Sequence, residues 1–203
     1  FGGGAIVIDR GNTVNLYGGT LDFYQKGVNT ISSGGIVYVL GTFNMYGGNI
    51  RGSYADSFTG KYILNGAIYS STRHGYSAAV HVSGTFNMYG GSVESGKLRL
   101  VTGSIAKDVL GNDIYVQEIT EREGVSPCIC IVQNGVVTLS GNSNVENLYL
   151  SGGTTSKLTV KGKYTGTVEI AYPEETTLEQ MQKIASVESL DGEPADVSAS
   201  TIT

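Results

Sequence analysis

The sequence has no tryptophan, three prolines, two histidines and two cysteines among 203 residues, and only 15% of it is charged. Each scarcity removes a class of protein. Thirty glycines beside three prolines make neither a collagen nor a proline-rich linker. Low charge with 40% hydrophobic residues argues against a disordered chain and for one sizeable core. Two cysteines make no disulfide framework. Cys128 and Cys130 lie two apart, so on one strand they share a face and do not reach disulfide geometry. They are expected to be small buried hydrophobes. With His74 and His81 as the only histidines, no metal-ligand spacing emerges, and neither a metal nor another cofactor is expected.

Basic runs are also missing, and the net charge is −5, so no nucleic-acid partner is expected. No apolar run approaches the roughly 18 residues that cross a bilayer, so no membrane insertion is expected. The chain opens Phe1-Gly2-Gly3-Gly4, without Met and inside a repeat. It is expected to be part of a larger polypeptide, the rest of which is its covalent partner.

What the sequence has in quantity is glycine and tyrosine, arranged as a repeat. Thr13-Val14-Asn15-Leu16-Tyr17-Gly18-Gly19-Thr20-Leu21 aligns with Thr42-Phe43-Asn44-Met45-Tyr46-Gly47-Gly48-Asn49-Ile50 and with Thr85-Phe86-Asn87-Met88-Tyr89-Gly90-Gly91-Ser92-Val93. A fourth, decayed copy runs from Val136 to Asn142. Each copy follows a short apolar strand, and glycines mark the bends between strands. The copies are unevenly spaced, which suits a β-solenoid that grows loops at its corners better than a propeller or a helical repeat. No 3.6-residue periodicity runs through them.

Strand alternation assigns the faces. Val14, Leu16, Phe43, Met45, Phe86, Met88, Val137 and Leu139 share the parity of a core. Thr, Asn and Tyr share the other, so identical residues should stack as ladders on the outside. The segment Gly-Gly-Ile-Val-Tyr-Val-Leu-Gly-Thr-Phe-Asn-Met-Tyr-Gly-Gly-Asn-Ile, residues 34–50, resembles the glycine-rich repeats of large bacterial cell-surface proteins. That resemblance covers about residues 1–170. It implies a right-handed parallel β-helix of the pectin-lyase-like fold and an extracellular or cell-surface, adhesin-like setting.

The expected fold class is therefore all-β, a right-handed parallel β-helix over residues 1–171, with two long inserts near residues 51–78 and 94–127. In the first insert, Asn65-Gly66 between Lys61–Leu64 and Ala67–Ser70 predicts a hairpin. Residues 172–203 are expected to form a capping helix and a linker. There, Thr176 and Glu179 fit a capping box ahead of Leu178, Met181, Ile184 and Ala185, an amphipathic helix of about three turns.

Chemistry is hard to place on this frame. Exterior positions hold Thr, Asn and Tyr where a pectate lyase would need clustered Asp. Asp22 and Glu94 occupy equivalent positions with Arg51 between them, which reads as a surface charge ladder more than an acid–base pair. No catalytic residue is assigned. The expected function is a structural or adhesive β-helix segment of a large bacterial surface or secreted protein, without catalysis. A carbohydrate-binding module is the first alternative, and a polysaccharide lyase or hydrolase the second. Candidate ligand-binding residues are Tyr17, Tyr46, Tyr89, Asn44 and Asn87 on the ladder and Tyr54, Tyr62, Tyr69 and His74 in the first insert. A glycan or a host surface is the partner they would suit.

Overall fold

The computed structural model describes residues 5–22, 35–52, 54–65, 67–73, 79–150, 155–161 and 168–171, and the single or short stretches 177, 179–180, 183, 185–188 and 194–195. The fold is all-β. Its strands, numbered along the chain, form one parallel sheet, a second that is parallel except at its C-terminal edge, and a third, mixed one.

Six short strands make the first sheet: β1 (Ile6–Ile8), β4 (Val37–Val39), β9 (Val80–Val82), β13 (Ile129–Ile131), β15 (Asn147–Leu150) and β17 (Glu169–Ala171), in that spatial order and all parallel. The second sheet takes the strand that follows each of these: β2 (Thr13–Leu16), β5 (Thr42–Met45), β10 (Thr85–Glu94), β14 (Val136–Val145), β16 (Lys157–Lys161) and β18 (Ala185–Glu188). The chain thus visits the two sheets alternately and six times. Each visit pairs in parallel with the one before it, and the short β3 (Thr20–Asp22) and β6 (Asn49–Arg51) pair likewise. The register aligns the repeat with itself: Thr13, Thr42 and Thr85 are partners, as are Asn15, Asn44 and Asn87.

Inward residues of the two sheets meet in one core. Phe43, Met45, Ile50, Phe86, Met88, Val137 and Leu139 from the second sheet are fully buried, as are Val37, Val39, Val80, Val82, Ile129 and Ile131 from the first. Phe43 and Phe86 stack with ring centroids 5.1 Å apart. Each such side chain contributes roughly 1.5–3 kcal/mol through burial. The bends between strands need glycine for a specific reason. Gly48 and Gly91 have φ of +92° and +91°, and a Cβ on either would run into the backbone of the repeat below.

The inserts build the third sheet, in the order β12-β11-β7-β8, from β7 (Tyr54–Leu64), β8 (Ala67–Arg73), β11 (Gly96–Lys107) and β12 (Asp113–Ser126). The Asn65-Gly66 hairpin forms as expected, with Leu64 opposite Ala67 and Asn65 at φ +51°. The second insert is also a hairpin. The two hairpins join through parallel pairing of β7 with β11, so repeat-on-repeat stacking continues outward into the inserts.

Two expectations fail. No three-turn C-terminal helix is seen among the described residues, and Thr176, Leu178, Met181 and Ile184 lie outside them. Helical backbone is described only at Glu179, Gln180 and Lys183, and the reciprocal cap joins Thr177 to Gln180, one residue later than the expected Thr176–Glu179 pair. Ala185, counted toward that helix, instead begins β18, which pairs in parallel with β16. The free edge of β16 offers a row of backbone partners, and at Ala185 that tertiary pairing outweighs the local helical pattern. β19 (Pro194–Ala195) then closes antiparallel on β18. The cysteines also do not share a face. Cys128 lies just before β13 and joins the core with Ile129 and Ile131, whereas Cys130 stands in register with His81 and Tyr149. Both are buried and free.

Candidate functional site

The exterior of the second sheet carries the residues singled out for binding, and it brings five of them together. Alternation along β2, β5 and β10 turns Thr, Asn and Tyr outward while Val, Leu, Phe and Met turn in. The Asn44 Nδ2 amide donates to Asn15 Oδ1 at 2.9 Å, and Asn87 Nδ2 donates to Asn44 Oδ1 at 2.9 Å. Beside this amide ladder, the rings of Tyr17 and Tyr46 lie 5.0 Å apart and 9° from parallel, and those of Tyr46 and Tyr89 lie 4.9 Å apart at 12°. Ser92 Oγ donates to Asn49 Oδ1 one strand further on.

This arrangement limits what the tyrosines do chemically. A sugar that stacks on tyrosine needs a ring face. Both faces of Tyr46 are taken, one by Tyr17 and one by Tyr89. The row therefore offers ring edges and hydroxyls at repeat spacing, not a flat platform. Tyr17 and Tyr89, at the two ends of the row, each stack on one ring, and Tyr17 is the most open of the three, at 73% exposure against 46% and 44% for Tyr46 and Tyr89.

The insert tyrosines are spread differently. Tyr62 and Tyr69 are cross-strand partners on the first hairpin, and Tyr54 pairs with Lys97 on β11. Tyr69 is exposed. His74 lies outside the described residues. Of the ladder tyrosines, Tyr89 lies in the second sheet and Tyr17 and Tyr46 directly follow its strands β2 and β5, whereas Tyr54, Tyr62 and Tyr69 lie in the third.

Charge follows the same stacking logic. Arg51 lies in register between Asp22 and Glu94 and reaches them at 3.6 and 3.5 Å, with Asp22 and Arg51 exposed and Glu94 half-buried. On the third sheet Arg99, which is buried, is in register with Asp56 on one side and Glu121 on the other. Among the described residues, no three His, Cys, Asp or Glu gather as metal ligands. No helix among them is long and apolar enough to cross a membrane.

Two features had no counterpart in the sequence reading. On the first sheet, His81 stands in register between Tyr38 and Cys130 and its ring lies 4.9 Å from that of Tyr38. His81 is buried and its Nδ1 has no hydrogen-bond partner. Burial pushes its pKa from 6.5 down to about 4, so the imidazole is neutral near pH 7. Nearby, burial also raises the Cys128 thiol, whose Sγ lies 3.2 Å from Ser95 Oγ.

The second feature is the tip of the β11–β12 hairpin. The Asp108 carboxylate accepts hydrogen bonds from Leu110 N and Asn112 N at 2.8 Å and from Asn112 Nδ2 at 3.0 Å. Hydrogen bonds from Asn112 hold its carboxyl below the usual range. The turn leaves Val109 and Leu110 in solvent at 100% and 82% exposure. The run Asp108-Val109-Leu110-Gly111-Asn112 between two alternating strands was the available signal for it.

No family model matches this chain, and neither a curated protein nor a solved structure matches it.

Proposed function

We propose that the chain is a structural or adhesive scaffold, wound as a right-handed parallel β-helix of the kind found in large bacterial surface or secreted proteins, and that it acts without catalysis. One observation carries this reading. The exterior Asn and Tyr side chains of the clear repeats satisfy one another from repeat to repeat, as amide to amide and ring on ring. A binding site holds donors, acceptors and ring faces open, whereas a scaffold turns them into stacking energy. The resemblance of residues 34–50 to surface-protein repeats supports the same setting. In that setting the protruding insert sheet is the part presented to a partner such as a glycan or a host surface.

The test is a glycan array with the intact chain, together with Tyr46→Ala. The scaffold reading expects no glycan above background, and a variant destabilised by about 1–3 kcal/mol because two stacked neighbours lose their partner. Retention on a polysaccharide that Tyr46→Ala abolishes without moving the urea midpoint would replace it with the carbohydrate-binding reading.

A further inference from the structure

Across the first sheet, one register row runs Val7, Tyr38, His81, Cys130 and Tyr149. Val80 and Val82 flank His81 on its strand and face the core, as Ile129 and Ile131 do around Cys130. Alternation therefore turns the row to the outward side of the sheet. An outward row is expected to be wet. The middle of this one is dry: His81 keeps 7% exposure and Cys130 none. Tyr38 and Tyr149 stand on either side of the pair, and the Tyr38 ring lies 4.9 Å from the imidazole.

Two details describe a ligand for this pair. First, His81 Nδ1 is buried and has no hydrogen-bond partner among the described residues. An orphaned buried nitrogen costs stability, and native proteins keep one mainly where an ion, a water or a reaction uses it. The imidazole is neutral near pH 7, because burial lowers its pKa to about 4, so one ring nitrogen has a lone pair to give. Second, strand pairing sets His81 and Cys130 side by side, about 4.8 Å apart. An ion bonded to a ring nitrogen and a sulfur holds those atoms roughly 4 Å apart, from bonds of about 2.0 and 2.3 Å, and neighbouring strands allow that span. Charge and ligand number narrow the ion. Among the described residues no third His, Cys, Asp or Glu joins the pair, so a four-coordinate divalent ion is left two ligands short. A divalent ion on a single thiolate would also bury a net positive charge. A soft monovalent cation on a thiolate is neutral, is content with two ligands and favours sulfur and imidazole.

We infer that His81 Nδ1 and Cys130 Sγ form a two-ligand site for a soft monovalent cation, copper(I) or its redox-inert analogue silver(I). Binding makes one nitrogen–metal and one sulfur–metal bond, and the thiol proton leaves to solvent. No electron moves. The charge of the ion and that of the thiolate cancel, so the occupied site is neutral and stays buried. The half-buried rings of Tyr38 and Tyr149 flank it and limit the approach of water. The inference does not depend on the scaffold reading. A glycan hit would overturn that reading and leave this pair as it is.

The probe is copper(I) itself, held by a bicinchoninate chelator with ascorbate under anaerobic conditions and titrated with the intact chain. The expected result is transfer of one ion per chain, followed as loss of the chelate's absorbance. X-ray absorption at the copper edge should show one sulfur and one nitrogen. Cys130→Ser and His81→Phe should each weaken binding by about tenfold or more, at least the loss that follows removal of an outer-shell partner. Cys128→Ser should bind like the parent, because that thiol belongs to the core side of the strand. Urea unfolding checks that each variant folds, and where one does not, the spectrum of the parent decides alone. The proposal is overturned by no transfer from the chelator or by copper held through two sulfurs. It is also overturned by binding that survives His81→Phe or Cys130→Ser, by binding that Cys128→Ser abolishes, or by zinc(II) that displaces copper(I) at equal concentration.

Discussion

The two stacked parallel sheets and the insert sheet use the same backbone pairing and spend their side chains in opposite ways. In the stack, the second and third clear repeats place Phe and Met inward at zero exposure, and all three let Asn and Tyr outside satisfy each other. In the insert sheet, Ile114, Val116 and Ile119 on the edge strand β12 remain about 40% exposed, and the hairpin tip holds Val109 and Leu110 in water. The difference shows where stability resides. The stack is over-determined, with core, ladders and glycine bends agreeing on one register. The insert sheet is fixed mainly by its hydrogen bonds and by its continuation from the stack through β7 and β11. Loops and projections supported this way are where proteins place contacts with other molecules.

This contrast can be broken at several points. The largest effect should come from Phe86→Ala, which empties the centre of the stack and removes the partner of Phe43; a loss of about 3–5 kcal/mol is expected in urea unfolding. Next comes acid. His81 has a pKa of 6.5 when unfolded and about 4 when folded, so between those values the unfolded chain binds more protons than the folded one. Its contribution is complete above pH 6.5 and declines as pH falls toward 4, by on the order of 2–3 kcal/mol. A pH series of urea midpoints should show that decline, and His81→Phe should flatten it. A slope unchanged in the variant would mean that other groups set the acid limb.

A smaller loss is expected from Asn44→Ala, which removes the middle of the amide ladder and two side-chain hydrogen bonds, about 1–2 kcal/mol by the same assay. The smallest should be Val109→Ser at the hairpin tip, within about 0.5 kcal/mol of zero, because that side chain is wholly in solvent in the folded chain. A large loss at Val109 would show that the tip packs against something, and the contrast between the two regions would fail.

Much of the stack was legible in the sequence because stacked repeats turn one-dimensional similarity into contact. Aligning Asn15, Asn44 and Asn87 as text already names hydrogen-bond partners, and placing Arg51 between Asp22 and Glu94 already names an ion triplet. The Asn65-Gly66 turn was legible for a local reason: the left-handed φ at Asn65 is one that asparagine tolerates. The joining of β7 to β11 was not legible. Tyr54–Gly60 and Lys97–Gly103 share little sequence, and their register is inherited from the repeats they leave. In the tail, helical spacing carried the expectation one residue too far, to Ala185; what decides Ala185–Glu188 is an open strand edge supplied from residues 157–161. His81 was read as one residue of a short apolar strand. Its burial beside Tyr38 and Cys130 depends on neighbours 43 and 49 positions away, which the register supplies and local sequence does not.

The amide ladder has one more consequence, in the order of events. Asn44 donates to Asn15 and Asn87 to Asn44, each toward the earlier repeat, and the backbone amides of Thr42 and Thr85 likewise donate to Asn12 and Gly41. A repeat emerging from a ribosome after its predecessor has folded therefore meets acceptors already fixed in place, whereas one folding first would hold its donors out to water. Stacks governed by nearest-neighbour coupling grow from wherever the first unit stands. In this one the side chains favour growth in the direction of synthesis, so the sequence carries a schedule as well as a shape.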